Sequence, residues 1–485
     1  MSLRKNIFYN IFLTAGLYLS QLITFPYVTR VLGVENLGIC NFVSGFVNFF
    51  VLVSSLGILT LGAREIAKYK TSREELDKCF SALFYLLAAF TGAALLVYIA
   101  ILIFVPLPDK YATLLYIGLF YIIFNNFMVD WFFSGIENFK YVACRTLFIR
   151  AVYVVAVFVL VREPEHYIRY YALSVLVLLA TVAVNWTYRR NFTSLVRVPV
   201  SEIRKYVKPF VVIGLQTVLL SYFQTINPVL LGFLGNDTEV GFYTTAIKLS
   251  LIILMMYNAY TLVMIPRLSS LVNQKNDRYA HYLVGNSFKL LYLVSLPLIV
   301  LVELFVPVIV LLAAGPGYEG VINPMRIAIV IILVGGISQI MVNQVLIPNN
   351  LEKGVLWSAL AGVSVCLVLN LLLIPHFMSL SAAASWIYTE LIIVAGTYWY
   401  AKKRLADLSL ELGTLVKYIL VFLPLAALFW LRTLDLGIVY NLLICISVVI
   451  LYTHISLKYI VKDSFYRAVI EKAFGKMQKN EDSRE

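Results

Sequence analysis

Charge is scarce in this chain, and long polar stretches are scarcer. Of its 485 residues 13% are charged and 61% apolar, with a mean hydropathy of +0.87; soluble domains carry about 25% charged residues. No connection between apolar runs exceeds about 25 residues, well short of a span-length run plus a separate domain, so a soluble catalytic or nucleotide-binding domain has no room. The pattern G-x-x-x-x-G-K-[ST] is absent, which excludes an internal ATPase motor of that type. The five cysteines (Cys40, Cys79, Cys144, Cys366, Cys445) show no metal or redox spacing and read as small hydrophobes. His166 and His376 fall on separate outer turns without a partner pattern. No catalytic residue, metal or cofactor is expected, and the chain does not read as an enzyme.

What is present is a succession of apolar runs of about 20 residues, the length a helix needs to cross about 30 Å of hydrocarbon. Backbone amides find no water there, and continuous runs rather than strict alternation exclude a β-barrel. The fold class is therefore an all-α polytopic membrane protein. About 14 spans are expected, near 6–28, 38–63, 79–105, 111–136, 146–161, 167–187, 209–234, 240–266, 283–312, 322–347, 355–375, 381–401, 417–433 and 437–460. The run after Arg4 and Lys5 is too long for a cleaved signal and reads as the first span. With the N-terminus inside, about 30 of the 39 Lys and Arg fall on inner segments, which places both termini in the cytoplasm. The net charge of +13 is then a topology and lipid-surface signal, not a nucleic-acid patch.

An internal echo divides the chain. Pro26, Gly33, Gly38 and Arg64 recur as Pro228, Gly235, Gly241 and Arg267, with equal Pro–Gly and Gly–Arg spacings. Six spans separate the copies, so the halves run in the same direction, as parallel repeats about an axis along the membrane normal. The expected organisation is an N-terminal lobe (1–187), a cytoplasmic linker (188–208), a second lobe (209–401), two further spans (402–460) and an amphipathic cytoplasmic tail (461–485). Two six-helix lobes around a cleft suit alternating access.

Charges inside spans are costly and need a partner, water or a ligand. Arg150, Arg169, Lys248, Lys289 and Arg326 lie within spans, as do Asp130, Glu303 and Glu390. Arg169, Lys289 and Arg326 are near enough to helix ends to snorkel. The three acids are candidates for ion pairs or for proton coupling. With Arg30 and Arg64 at helix ends, cations outnumber anions, which suits an anionic ligand such as a pyrophosphate.

Ordered segments carry a resemblance. Phe25-Pro26-Tyr27-Val28-Thr29-Arg30-Val31-Leu32-Gly33 precedes Asn36-Leu37-Gly38, then Leu61-Gly62-Ala63-Arg64-Glu65 and Asp130-Trp131-Phe132-Phe133-Ser134-Gly135. Val240-Gly241-Phe242-Tyr243, Lys248 and Ile265-Pro266-Arg267 follow in the second half. Together they resemble the oligosaccharide-repeat-unit flippases of the polysaccharide-transport branch of the MATE-like superfamily, over nearly the whole chain. Ser134 departs from the pattern, where relatives often carry Gln, which bears on sugar specificity. The resemblance implies an inner-membrane flippase that carries an undecaprenyl-pyrophosphate-linked oligosaccharide from the cytoplasmic to the periplasmic leaflet. It would work among membrane lipids, with a polysaccharide polymerase and a chain-length regulator as partners. It implies cavity roles for Arg30, Arg64 and Lys248; Arg150 and Lys289 join them on charge grounds. A MATE-type small-molecule antiporter and a flippase of the peptidoglycan lipid precursor are the alternatives.

Overall fold

Apolar runs this long can satisfy their backbone only internally. The computed structural model, which describes residues 3–106, 108–274, 276–405, 409–431 and 437–467, is accordingly helical, with no strand among them. In chain order the helices are α1 (Leu3–Ser55), α2 (Ile58–Tyr69), α3 (Arg73–Phe104), α4 (Asp109–Asn126), α5 (Asp130–Gly135) and α6 (Phe139–Leu160). Then come α7 (Tyr167–Arg189), α8 (Val200–Leu220), α9 (Tyr222–Leu234), α10 (Asp237–Asn273) and α11 (Asp277–Ala314). The remainder are α12 (Ile322–Ala328), α13 (Ile331–Ile340), α14 (Glu352–Lys402), α15 (Leu412–Phe422), α16 (Leu428–Leu431) and α17 (Ile438–Ile455). A π-helical turn, Met341–Leu346, follows α13.

Ten segments among the described residues are long and apolar enough to cross a membrane, so the chain is a multi-pass membrane protein. Two of the ten each hold a pair of the expected spans. The first pair joins without a loop inside α1 at Gly33 (φ 74°, ψ 172°), a backbone open to a residue without Cβ. The second joins inside α14 at Met378 (φ 47°, ψ −127°), where Glu239 accepts the Ser379 amide at 3.1 Å. The seventh and eighth expected spans correspond to α8–α9 and α10. Outward faces are apolar, as lipid contact requires: Leu96 is 72% and Phe104 82% exposed.

The chain forms two compact units. The first comprises Met1–Thr245, Leu311–Gly320 and Val368–Ala382; the second comprises Ala246–Val310, Val321–Leu367 and Ala383–Glu485. The first has an aromatic core in which Phe80, Trp131, Phe132 and Phe133 are fully buried. The second is centred on Phe288, Tyr292, Ile340 and Tyr418. The stretch expected as a lobe linker is irregular only to Pro199, and it is pinned to α3. Thr193 and the Ser194 amide donate to Asp77 (2.6 and 2.8 Å), and the Val196 amide donates to Ser81 (2.9 Å). Of the tail expected at 461–485, residues 468–485 lie outside the described residues.

Within the first unit the echoed glycines meet. A Cβ on Gly38 would overlap the Asp237 carbonyl, and one on Gly241 would overlap the Val34 carbonyl. Val34 and Asp237 stand at equal distances before the two glycines, so the contact is reciprocal, as a two-fold axis produces. Asn41 donates to Thr244 at 2.8 Å across the same approach. Small residues let helix backbones come this close in a membrane. Gly38→Ala must push two backbones apart, and a cost of about 1–3 kcal/mol is expected. A melting temperature of the purified protein equal to wild type would refute the close packing.

Candidate functional site

The span expected at 111–136 is interrupted, and the interruption organises the basic end of the first unit. α4 stops at Asn126, Val129 adopts a left-handed backbone (φ 52°), and Asp130 opens α5 instead of lying within a continuous helix. α7 satisfies the carbonyls that the break frees. Asn185 Nδ2 donates to the Met128 carbonyl, and Trp186 Nε1 donates to that of Phe127 at 2.8 Å. Asp130 also accepts from Asn185 (2.8 Å) and lies 3.0 Å from Arg145 Nη2. Arg145 is 4% exposed and lies over the Tyr141 ring at 5.8 Å. Trp131 packs against Gly62 and stacks on Phe80, which joins two of the motif segments. On the adjoining turn the Lys70 ammonium, 2.9 Å away, holds the Glu137 carboxyl below the usual carboxylate range.

Most of the other expected site residues are engaged. Arg30 donates from Nη1 to the Pro26 carbonyl and from Nη2 to that of Leu312, both at 2.7 Å. It thereby caps carbonyls at the end of α11, while Tyr318 donates to the Thr29 carbonyl at 3.2 Å beside it. Arg64 is 54% exposed and pairs with the buried Glu65 (3.1 Å), which also holds Lys68 (2.7 Å). In the second unit Lys289 lies 3.7 Å from Glu411, and Glu303 lies 3.6 Å from Arg326. Lys248 is exposed on α10. Glu390 takes hydrogen bonds from Ser338 and Trp386 and makes no ion pair among the described residues.

Arg150 is different. The sequence places its span at 146–161, with Arg150 near the end. The helix instead begins at Phe139 and ends at Leu160. Arg150 is therefore about 16 Å along an axis of about 33 Å, near the middle of the helix. It is half-buried and has no carboxylate partner among the described residues. What surrounds it is phenolic. The guanidinium sits 5.4 Å from the Tyr153 ring, and Tyr153 and Tyr170 are hydrogen-bonded. A cation without a carboxylate partner is free to attract an anionic ligand.

Sequence reading missed Arg145, Glu411 and these tyrosines. Arg145 falls in the flanking loop by hydropathy, which starts the helix at 146, seven residues after Phe139. Glu411 is far from Lys289 in sequence. Tyr153, three residues after Arg150, is the neighbour that helical spacing makes legible.

Comparison with known proteins places this arrangement. Residues 3–272 match the family model described as Polysaccharide biosynthesis protein. A protein of Escherichia coli (strain K12), whose name provisionally assigns it to O-antigen transport, is 22% identical over 406 residues, covering 81% of this chain and 95% of its own. The structure of the lipid II flippase MurJ in an inward closed conformation superposes with a TM-score of 0.71 at 13% identity, covering 93% of this chain and all of the other. An inward-facing multidrug resistance MATE family transporter of the MOP superfamily gives 0.57 at 14% identity, covering 80% and 96%. At these identities the two structures establish a shared MATE-like fold.

Proposed function

We propose, from the premise that this chain belongs to the polysaccharide biosynthesis protein family, that it is a flippase for a lipid-linked oligosaccharide. Its cargo is an undecaprenyl-pyrophosphate-linked repeat unit, moved from the cytoplasmic to the periplasmic leaflet of the bacterial inner membrane for surface polysaccharide synthesis. Both termini face the cytoplasm. The lobes 1–187 and 209–401 alternate access to a cleft while the lipid tail stays in the bilayer. Arg150 carries this reading, as a mid-helix cation beside Tyr153 with no carboxylate partner among the described residues. Arg30 and Arg64 in the first unit, and Lys248 and Lys289 in the second, are further candidate contacts for the anionic cargo. Moving charge across the membrane is worth about 2.3 kcal/mol per elementary charge per 100 mV. A pyrophosphate with about two negative charges therefore gains about 4–5 kcal/mol per 100 mV on moving outward, and no ATP is required.

Glu390 supports a coupling role. Asp130 and Glu303 are neutralised by arginines, whereas Glu390 has only uncharged partners among the described residues. It is the acid left to carry a proton if the cycle is ion-coupled.

Deleting the gene should abolish the surface glycan and leave complete lipid-linked repeat units on the inner leaflet. Extraction of lipid-linked sugars with glycan staining checks this. Normal glycan together with altered drug resistance would instead favour a small-molecule antiporter. Rescue of cells lacking peptidoglycan-precursor flipping would favour that cargo.

A further inference from the structure

A cavity of about 600 Å³ opens at the basic end of the second unit, apart from the residues discussed so far. Its polar lining is Asp277, Arg278, His281, Gln344, Asn349 and Arg404. These come from the start of α11, the π-helical turn after α13 with the turn that follows it, and the residues just past α14. Leu268, Val284 and Leu405 supply apolar wall.

Gln344 is the unexplained group. It is 98% buried, yet neither its amide nitrogen nor its amide oxygen has a hydrogen-bond partner among the described residues. A buried amide is normally satisfied, and each exception calls for a reason. The reason is local: the π turn re-aims Gln344 at the cavity, and such turns concentrate at functional sites.

The charges around it have one sign in excess. Arg278 makes no ion pair or hydrogen bond among the described residues. Arg404 is held in place, with its guanidinium 3.8 Å from the Tyr400 ring and Nη1 donating to the Tyr400 carbonyl at 3.3 Å. Asp277 opposes them with one negative charge, leaving a net charge of +1 with His281 neutral. The first turn of α11 adds the positive end of a long helix. The amide N–H of Gln344 and the two guanidinium groups are donors suited to phosphate oxygens. The apolar wall suits an attached alkyl or glyceryl group better than a bare ion.

We propose that this cavity binds a phosphate ester, with Arg278 and Arg404 on the phosphate and the Gln344 amide on an ester or neighbouring oxygen. The ester is either the headgroup of an anionic phospholipid in the adjacent leaflet or a soluble phosphate compound.

The test uses the full-length protein in detergent at fixed ionic strength. Thermal unfolding is followed with phosphatidylglycerol or phosphatidylcholine in mixed micelles, and separately with glycerol 3-phosphate. Wild type should be stabilised by phosphatidylglycerol and not by phosphatidylcholine. Apparent affinity should fall roughly tenfold or more in Arg278→Gln/Arg404→Gln and in Gln344→Leu. Stabilisation by phosphatidylglycerol alone identifies a lipid headgroup; stabilisation by glycerol 3-phosphate as well identifies a soluble ester. Gln344→Leu removes an unsatisfied amide and should fold at least as well as wild type, so its result stands if the double variant fails to purify. No shift with either probe, or equal shifts in wild type and variants, would overturn the proposal.

Discussion

Arg150→Gln is expected to abolish surface polysaccharide while leaving the protein as stable as wild type or more so. The two readouts separate because Arg150 has no carboxylate partner to abandon among the described residues. An unpaired charge at mid-depth costs at least about 2.5–3.5 kcal/mol, and glutamine removes that cost. The loss falls on the ligand. A charge-assisted hydrogen bond is worth about 1.5–3 kcal/mol, so removing one weakens pyrophosphate binding by roughly 10- to 150-fold. Arg150→Lys keeps the charge but not the planar fork, and should retain part of the function. Glycan staining of complemented cells and melting of the purified variant are the two measurements. Normal glycan with glutamine at this position would remove Arg150 from the transport path. Lost glycan with a lowered melting temperature would make its role structural.

Arg145 should behave in the opposite way. Arg145→Met leaves the half-buried Asp130 carboxylate beside the broken helix without its cation, and a cost of about 1–3 kcal/mol is expected. The double variant Asp130→Asn/Arg145→Met removes both charges, and Asn can still accept from Asn185. It should recover most of the loss, because the penalty comes mainly from the charge left behind. Denaturant or thermal unfolding of the wild type, both single variants and the double variant gives the coupling directly. A double variant as unstable as the sum of the singles would mean the 3.0 Å contact contributes nothing.

These two arginines lie five residues apart on α6, and hydropathy alone could not tell them apart. Lys140 and Arg145 made the first turns of α6 look like loop, so the expected span began at 146 and Arg150 fell near its end. Once Asp130 neutralises Arg145, the helix can begin at Phe139, and Arg150 moves to the middle of the helix. Similarly, Asp130 looked like a charge within a fourth helix. It opens a separate short helix because Asn185 and Trp186, more than fifty residues on, satisfy the carbonyls that the break exposes.

Composition and periodicity determined the membrane class, the helical architecture and the approximate spans, since bilayer thickness and backbone hydrogen bonding act on each segment separately. The ordered motifs determined the family, and the echoed prolines and glycines marked the repeat. Which charges are paired was decided only by tertiary structure. Glu303 with Arg326, Lys289 with Glu411 and Arg145 with Asp130 are contacts between segments that hydropathy treats one at a time. That Arg150 has tyrosines and no acid beside it among the described residues, and that Gln344 is unsatisfied among them, are likewise matters of packing. An intramembrane charge is defined by what packs against it, and packing joins residues distant in sequence.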